Sequence, residues 1–163
     1  RASRRVHNAC QEAEYRTLSL PNDCVLVIVE PGAKHALLQR FYNLGREDCA
    51  AAAHALGVES LREVTPEHLE LGGDSLDPVI YRRAAHIVGE NDRVWRAVEA
   101  LEKNDAEAVG ALLNASHESS RTNFENSSPE QDALVELART LPGMLGDRLP
   151  GGGFGGATVP LVR

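Results

Sequence analysis

Apolar side chains cluster or alternate along two early stretches of the chain in patterns typical of β-strands. Residues 24–30, CVLVIVE, form a β-branched apolar run that is closed by Pro31 and Gly32. Because such a run is apolar on both faces, it predicts a buried central strand. Residues 14–20, EYRTLSL, alternate more weakly and predict a short exposed strand. Residues 1–11 are basic and carry no periodic pattern, so no element is predicted there.

Apolar residues then recur at helical spacing. Residues 34–56 carry one apolar stripe, and Gly57 follows where a helix-ending glycine belongs. Residues 65–69, TPEHL, predict a short helix capped by their threonine. The longest helix is predicted to have Asp77 as its N-cap and Pro78 in its first turn. One stripe along this helix, apolar except for Asn91, consists of Ile80, Ala84, Ile87, Val88, Asn91, Val94, Trp95, Val98 and Leu101.

Two further helices are predicted on either side of a polar segment. Asp105 starts a helix that runs as far as His117. Residues 116–128, SHESSRTNFENSS, are almost free of apolar anchors and predict a surface loop. Ser128 is followed three residues later by Gln131, which is a capping-box pattern at the start of the helix DALVELARTL.

The end of the chain predicts two short strands joined by glycines. Pro142 and Gly143 end the last helix, and the apolar segments MLGDRL and ATVPLV flank the glycine cluster. The whole order is strand, strand, helices, strand, strand. This order predicts an α+β fold in which helices pack on one face of a mainly antiparallel sheet.

Length, charge and cysteine content limit the possible classes of protein. A chain of 163 residues with 42% hydrophobic residues predicts one domain spanning residues 1–163. The formal net charge of −7 argues against nucleic acid or anionic membrane as partners. No apolar stretch approaches the ~20 residues that span a bilayer. The three cysteines lack a C-x-x-C pair and the histidines share no ligand spacing, so we expect reduced thiols, no metal site and a cytoplasmic location.

Residues 151–156, GGGFGG, concentrate backbone freedom at one point of the chain. They match G-x-G-x-x-G formally, but a dinucleotide-binding loop opens a helix, whereas a strand is predicted here. A Walker loop requires a lysine that this segment lacks. Two interpretations stay open. The segment is a hairpin turn, or it is a loop that lies against a ligand or a second phosphate-binding loop and uses its backbone N–H groups as anion donors.

Five segments of the chain resemble one family of kinases. The segment GDRLPGGGFGGATVPLV resembles the third signature motif of the GHMP small-molecule kinases. The other segments resemble, in order, the C-terminal region of the galactokinase family. The resemblance covers nearly the whole chain from residue 14 and implies a ferredoxin-like sandwich with a mainly antiparallel four-stranded sheet. The four further segments are EYRTLSLP (14–21), KHALLQRFYNLGREDC (34–49), RRAAHIVGENDRV (82–94) and SHESSRTNFENSSPEQD (116–132).

The resemblance implies an ATP- and Mg²⁺-dependent enzyme that transfers the γ-phosphoryl group to the anomeric hydroxyl of galactose. By the same match, Tyr42 occupies the position of a tyrosine that faces the sugar; the alternative is an ordinary, partly buried tyrosine on the helix from Lys34. His35 lies on a matched motif and is a weaker candidate. The residues implied to support the phosphate-binding site, in a cleft between two domains, are Gly151, Gly152, Gly153, Phe154, Gly155 and Gly156.

The resemblance also implies that part of the machinery lies outside these residues. In the family, the sugar-gripping signature, the triphosphate loop and the aspartate base all precede the position of residue 1, so no residue here is expected to be catalytic. The chain begins with Arg1, and its only methionine is Met144. We therefore expect a segment of a longer protein that lacks its N-terminal kinase domain, is inactive alone and binds ATP weakly. The face exposed toward that domain is expected to be partly apolar and to promote self-association.

Several positions depart from the family pattern. Gly45 and Ala85 stand where arginines are usual, Gly89 and Pro150 where threonines are usual, and Ser120 where an apolar residue is usual. These departures leave open both the identity of the sugar and the competence of the enzyme, and a kinase of the same superfamily that acts on another sugar stays an alternative. The alternative hypothesis is a stand-alone, non-catalytic module of the same fold that senses a sugar or binds a protein.

Overall fold

Helices make up most of the chain in the computed structural model, which describes residues 4–9, 14–32 and 38–163. The strands are short and lie near the two ends of the sequence. Two short 3₁₀ turns, at Leu61–Glu63 and Gly73–Ser75, flank the second helix. In chain order, the elements are β1 (Arg4–Ala9), β2 (Glu14–Ser19), β3 (Val25–Leu26), α1 (Leu38–Ala55), α2 (Pro66–Gly72), α3 (Pro78–Glu102), α4 (Ala106–Ser119), α5 (Pro129–Ala138), β4 (Met144–Gly146) and β5 (Leu161–Val162).

The helix boundaries follow the caps that the sequence predicts. Gly57 has a φ of +72°, a left-handed conformation that suits glycine after a helix. The predicted start of the first helix at Lys34 lies outside the described residues. Each confirmed N-cap oxygen accepts a backbone N–H: Thr65 from His68 at 3.2 Å, Asp77 from Val79 at 2.8 Å, Asp105 from Ala108 at 2.9 Å and Ser128 from Gln131 at 3.3 Å.

Two apolar clusters hold the helices together. One lies between α1, α2 and α3, and the other joins α3 and α4 to the C-terminal strand. Within the described residues, no helix combines the length and apolar character needed to cross a bilayer. The buried residues of the first cluster are Ala52, Ala53, Leu61, Val64, Leu69, Ala84 and Val88; those of the second are Cys24, Ala100, Ala106, Val109 and Leu161.

Glycines allow α4 and β4 to approach more closely than other residues would. A Cβ atom on Gly110 would collide with the carbonyl of Leu145, and one on Gly146 would collide with the carbonyl of Gly110. The backbones of helix and strand are therefore in direct contact. This contact places the chain that follows β4 beside the C-terminal half of α4.

The strands confirm the α+β class but not a single four-stranded sheet. β1 and β2 form a two-stranded antiparallel sheet, and β3, β5 and β4 form a separate three-stranded antiparallel sheet in that order. A tight turn, in which Cys24 N donates to Pro21 O at 3.0 Å, separates β2 from β3. The two sheets are therefore distinct in the described part of the chain.

The prediction of a buried central strand over residues 24–30 is wrong. Only Val25–Leu26 form a regular ladder with β5, which occupies the centre, and Val29 adds an isolated bridge to Thr158. Val25 is 59% exposed and Ile28 is 73% exposed. An apolar run carries no information about which strands will flank it, and no strand in the described ranges pairs with the outer edge of β3. Self-association through such apolar surface stays a prediction.

The prediction of a surface loop over residues 116–128 is also wrong. The first four residues continue α4, and Ser120–Phe124 form a π-helical turn. Ser116 Oγ donates to Glu90 at 2.9 Å and Ser119 Oγ lies 3.0 Å from His86 Nδ1, so these buried hydroxyls have partners inside the fold. The buried residues of this segment are Ser116, His117, Ser119, Ser120, Asn126 and Ser128.

His86 is the titratable centre of this buried polar layer. Its Nδ1 lies 3.0 Å from Ser119 Oγ, and its ring packs on Phe124 with 4.8 Å between centroids. Burial lowers the pKa of His86 to about 4, the Glu90 carboxylate opposes this shift, and Arg93 and Arg148 add to it. His86 is therefore buried in its neutral form at neutral pH.

Acid is expected to destabilise the domain through His86. Between pH 6.5 and about 4 the unfolded chain binds a proton that folded His86 does not, so stability falls as pH falls, by about 1.4 kcal/mol per pH unit for one proton. His117, whose pKa burial also lowers, adds to this trend. Urea unfolding at pH 7, 6 and 5 should give a shallower pH slope for His86→Gln than for the wild type. The exposed-histidine control His54→Gln should keep the wild-type slope, and an equally steep slope in His86→Gln would contradict this assignment.

Candidate functional site

The glycine cluster lies in the connection between the antiparallel strands β4 and β5, and we call residues 150–156 the glycine loop. Gly151, Gly153 and Gly155 have φ values of +64°, +79° and +91°, which residues with a Cβ rarely adopt. Phe154 also has a positive φ of 56°. The next regular element is the strand β5 rather than a helix, so the geometry is not that of a dinucleotide-binding turn.

The inner side of the glycine loop is attached to the segment that precedes α5. Phe154 N donates to Asn126 O at 2.6 Å, and Asn126 Nδ2 donates to Gly152 O at 3.3 Å. A Cβ on Gly153 would collide with the Asn126 carbonyl and would lie 2.9 Å from its Nδ2. Asn126, which is only 4% exposed, therefore fixes the first half of the loop.

Gln131 fixes the second half of the glycine loop. Its Oε1 accepts from Gly155 N at 3.0 Å, and its Nε2 donates to Gly156 O at 2.9 Å. The residue is fully buried in the first turn of α5. The capping-box pattern predicts the cap at Ser128 but not this use of the Gln131 side chain.

The outer side of the glycine loop is exposed and lies beside Tyr42. Gly151 and Gly152 are both exposed, and a Cβ on Gly152 would stand 3.8 Å from Tyr42 Cδ2. Tyr42 projects from α1 and is 49% exposed, so it is not buried in the core. The structure thus brings the two candidate site features from distant parts of the sequence to one surface. His35, the weaker candidate, lies outside the described residues.

Gly45 lies one turn after Tyr42 on α1 and has a packing role. A Cβ on Gly45 would lie 2.8 Å from Phe124 Cζ, so the ring occupies the space that a larger side chain would need. The guanidinium of Arg83 lies over the same ring, 5.6 Å from the Phe124 centroid. The absence of a side chain at Gly45 therefore allows α1 and the π-helical turn to pack closely.

Asp147 is a buried acid next to the glycine loop that the sequence did not single out. It is fully buried, and desolvation raises its pKa above the usual value. The Thr158 hydroxyl and the N–H groups of Arg148 and Val159 are near enough to oppose that rise, although none makes a well-aligned hydrogen bond to either carboxylate oxygen. Since the side chain has no exposed surface, Asp147 cannot touch a ligand in this conformation.

Among the described residues, no group of three histidine, cysteine, aspartate or glutamate side chains is arranged to hold a metal ion.

Glu90 lies 3.2 Å from the Arg148 guanidinium and accepts from Ser116 Oγ at 2.9 Å. Although burial opposes ionisation, these partners and Arg93 hold the pKa of Glu90 below its usual value. Glu90 is therefore part of an internal ion cluster.

Comparison with known proteins gives one consistent result. Residues 97–162 match the family model described as the C-terminal domain of GHMP kinases. A galactokinase from Bos taurus is 43% identical over 155 residues, and one from Glaesserella parasuis is 40% identical over 157 residues. Both alignments cover 94% of this chain but only 40% and 41% of the relatives. The chain thus spans about two fifths of the length of these relatives.

Solved structures agree with the sequence comparisons. A crystal structure of Lactococcus lactis galactokinase complexed with galactose superposes with a TM-score of 0.93 at 30% identity, covering 99% of this chain and 43% of that protein. An L. major mevalonate kinase in complex with R-mevalonate superposes with a TM-score of 0.62 at 23% identity over 97% of this chain and 39% of its own. The second match shows the fold alone.

Proposed function

Since the chain carries the C-terminal domain of the GHMP kinase family and is related to galactokinases over 94% of its length, we propose that it forms the C-terminal part of an ATP-dependent galactose kinase. The observation that carries the proposal is the position of Tyr42 beside Gly152 on one exposed surface. A sugar contact and a phosphate-supporting loop must be neighbours if a phosphoryl group is to pass between their ligands. The complete protein is the full-length protein that contains these residues.

The glycine loop would act mainly as a rigid support on the phosphate side. The N–H groups of Phe154 and Gly155 are bonded to Asn126 and Gln131, so they hold the loop in place instead of binding an anion. The exposed side of the loop, which includes Gly151 and Gly152, would face a ligand or a second loop. In this arrangement the glycine loop would pack against, and support, a phosphate-binding loop supplied elsewhere in the complete protein.

The chain would leave the metal and the base of the reaction to other parts of the complete protein. The described residues offer no cluster of metal ligands, so Mg²⁺ would be held by ATP and by residues elsewhere. ATP supplies the γ-phosphoryl group: its bond to the β,γ-bridging oxygen breaks, and a bond to the anomeric oxygen of the sugar forms. The proton of that hydroxyl passes to a base outside this chain. Positioning contributes most to such a transfer, and positioning is what Tyr42 and the glycine loop would provide.

Two further assignments stay predictions. A non-catalytic module would bind a sugar without turnover, and nothing in the described part of the chain favours it over a kinase. Cytoplasmic localisation is expected from the reduced cysteines and the absence of a long apolar stretch in the sequence.

Tyr42→Ala in the complete protein is expected to impair use of the sugar and to spare ATP. Losing a ring that contacts the sugar removes roughly 1–3 kcal/mol of binding, so the KM for galactose should rise about tenfold or more, or kcat should fall by a similar factor. The KM for ATP should stay within about twofold, since Tyr42 stands on the sugar side of the site. Steady-state kinetics with each substrate varied in turn will measure both constants.

Leu44→Ala is the matched control, because Leu44 is also an exposed residue of α1, at 43%, but lies two residues further along the helix. It should leave both constants near the wild-type values. If Tyr42→Ala and Leu44→Ala show the same galactose dependence as the wild type, Tyr42 is a packing residue and the sugar-facing assignment is wrong.

A further inference from the structure

The Gln131 side chain is the one amide that bridges two consecutive residues of the glycine loop in the described part of the chain. It accepts from Gly155 N at 3.0 Å and donates to Gly156 O at 2.9 Å. Its own backbone N–H donates to Ser128 Oγ at 3.3 Å, which ties it to the start of α5. Gln131 thus connects the loop directly to a capped helix terminus.

The loop needs such an external attachment because its own residues impose little conformation. Gly155 has a φ of +91° and is buried, and neither Gly155 nor Gly156 has a side chain of its own that would restrict its backbone. If the Gln131 amide is removed, the buried Gly155 N–H and the Gly156 carbonyl both lose their partners. An unpaired buried polar group is costly, so the loop would shift until water satisfied both groups.

Gln131 differs in this respect from Asn126, the other attachment point. The short Asn126 contact to Phe154 N uses a backbone carbonyl, which no substitution removes. Both Gln131 contacts belong to its side chain and can be removed by a single substitution. The position of residues 155 and 156 therefore depends on one testable group.

We propose that Gln131 is a positioning residue for phosphoryl transfer, which holds the glycine loop so that its exposed side keeps its place beside Tyr42. This inference rests on the proposed function and extends it to a residue that touches no substrate. Gln131 lies in the core, and its influence passes to the site through Gly155 and Gly156. Its loss should therefore lower catalytic efficiency by more than a loss of stability alone can explain.

The test compares Gln131→Leu with Val135→Ala in the complete protein. Val135 is also buried, at 1% exposure, one turn further along α5, and it has no polar group to bond the loop. Both variants should melt at a lower temperature than the wild type. At a temperature where both are fully folded, kcat/KM for ATP should fall at least about tenfold in Gln131→Leu, the effect of one buried hydrogen-bonded group, and less than threefold in Val135→Ala.

Gln131→Glu adds a pH signature that a purely structural role would not produce. A protonated carboxyl has one donor and one acceptor, as the amide does, whereas the ionised form has only acceptors and would repel the Gly156 carbonyl. Its activity relative to wild type should therefore be near normal at the low end of the working pH range and fall as pH rises. The same ratio for Gln131→Leu should not change with pH.

Amide hydrogen exchange over residues 149–156 gives a readout that does not depend on activity. Exchange should be faster in Gln131→Leu and unchanged in Val135→Ala. If the wild type shows no kinase activity, the proposed function fails, and the role of Gln131 in phosphoryl transfer fails with it. Faster exchange in Gln131→Leu would then still show that Gln131 holds the loop. Unchanged exchange in Gln131→Leu, or equal kinetic losses in Gln131→Leu and Val135→Ala, would overturn the inference.

Discussion

Gly153→Val is expected to displace the glycine loop and to abolish activity in the complete protein. Gly153 has a φ of +79°, which is strained for a β-branched residue, and its new Cβ would collide with the Asn126 carbonyl. Together these effects should cost about 3–5 kcal/mol. For a domain of this size the melting temperature should fall by about 10 °C, and the loss of loop geometry should lower kcat/KM at least about 100-fold where the protein is still folded.

Gly152→Ala is the matched control for this prediction. Gly152 is exposed, its φ is not positive, and its new Cβ would make ordinary contact with Tyr42 at 3.8 Å. This variant should melt within about 2 °C of the wild type, as expected for an exposed, unstrained position. A Gly153→Val protein that melts with the wild type and keeps full activity would show that the loop is only a connecting turn.

Residues 1–163, purified as an isolated chain, are expected to fold and to leave ATP and galactose unreacted. Folding is expected because the two apolar clusters are enclosed by elements of the chain itself, and each buried Leu, Ile or Val contributes ~1.5–3 kcal/mol. Catalysis is not expected because the chain spans only about two fifths of its relatives, and under the proposed function the triphosphate loop and the base lie in the remainder of the complete protein. Losing the orientation of the reactants alone forfeits ~7–11 kcal/mol, which is at least about a 10⁵-fold loss in rate.

A coupled assay of ADP release, beside circular dichroism to verify folding, measures this outcome. The complete protein is the positive control. Turnover by the isolated chain near 1 s⁻¹ or above, within the ~1–100 s⁻¹ typical of kinases, would mean that an Asp or Glu within residues 1–163 acts as the base.

Local patterns were sufficient to predict where most helices begin. The caps at Thr65, Asp77, Asp105 and Ser128 all form as expected, because each depends on an oxygen and an N–H group two or three residues apart. Such contacts are encoded within one turn of chain. The α+β class follows from the order of these elements.

Features that depend on distant partners were not predictable in this way. Ser116 and Ser119 are buried because Glu90 and His86 on α3 lie against them, and nothing in the polar segment itself indicates those partners. Similarly, residues 24–30 are apolar enough for a central strand, but β5 takes the central position. Sheet order is a long-range property that hydrophobic periodicity does not contain.

In the candidate site, too, the residues can be predicted from local patterns but their contacts cannot. Tyr42 and the glycine cluster can each be singled out from sequence patterns, but only the structure shows that Tyr42 lies beside Gly152. The capping-box pattern predicts Gln131 only as part of a helix cap, whereas its side chain makes hydrogen bonds to the glycine loop. A residue that acts through a buried hydrogen bond to a distant backbone has no local pattern to reveal it.

Under the proposed function, these residues complete the site of a galactose kinase. Formation of the product can be followed by ³¹P NMR of the complete protein incubated with galactose and Mg-ATP, with reactions lacking galactose and reactions of Tyr42→Ala run in parallel. We expect a sugar 1-phosphate signal that grows in step with ADP, is absent without galactose and is strongly reduced in Tyr42→Ala. A folded complete protein that binds ATP but forms no galactose phosphate would rule out the proposed function.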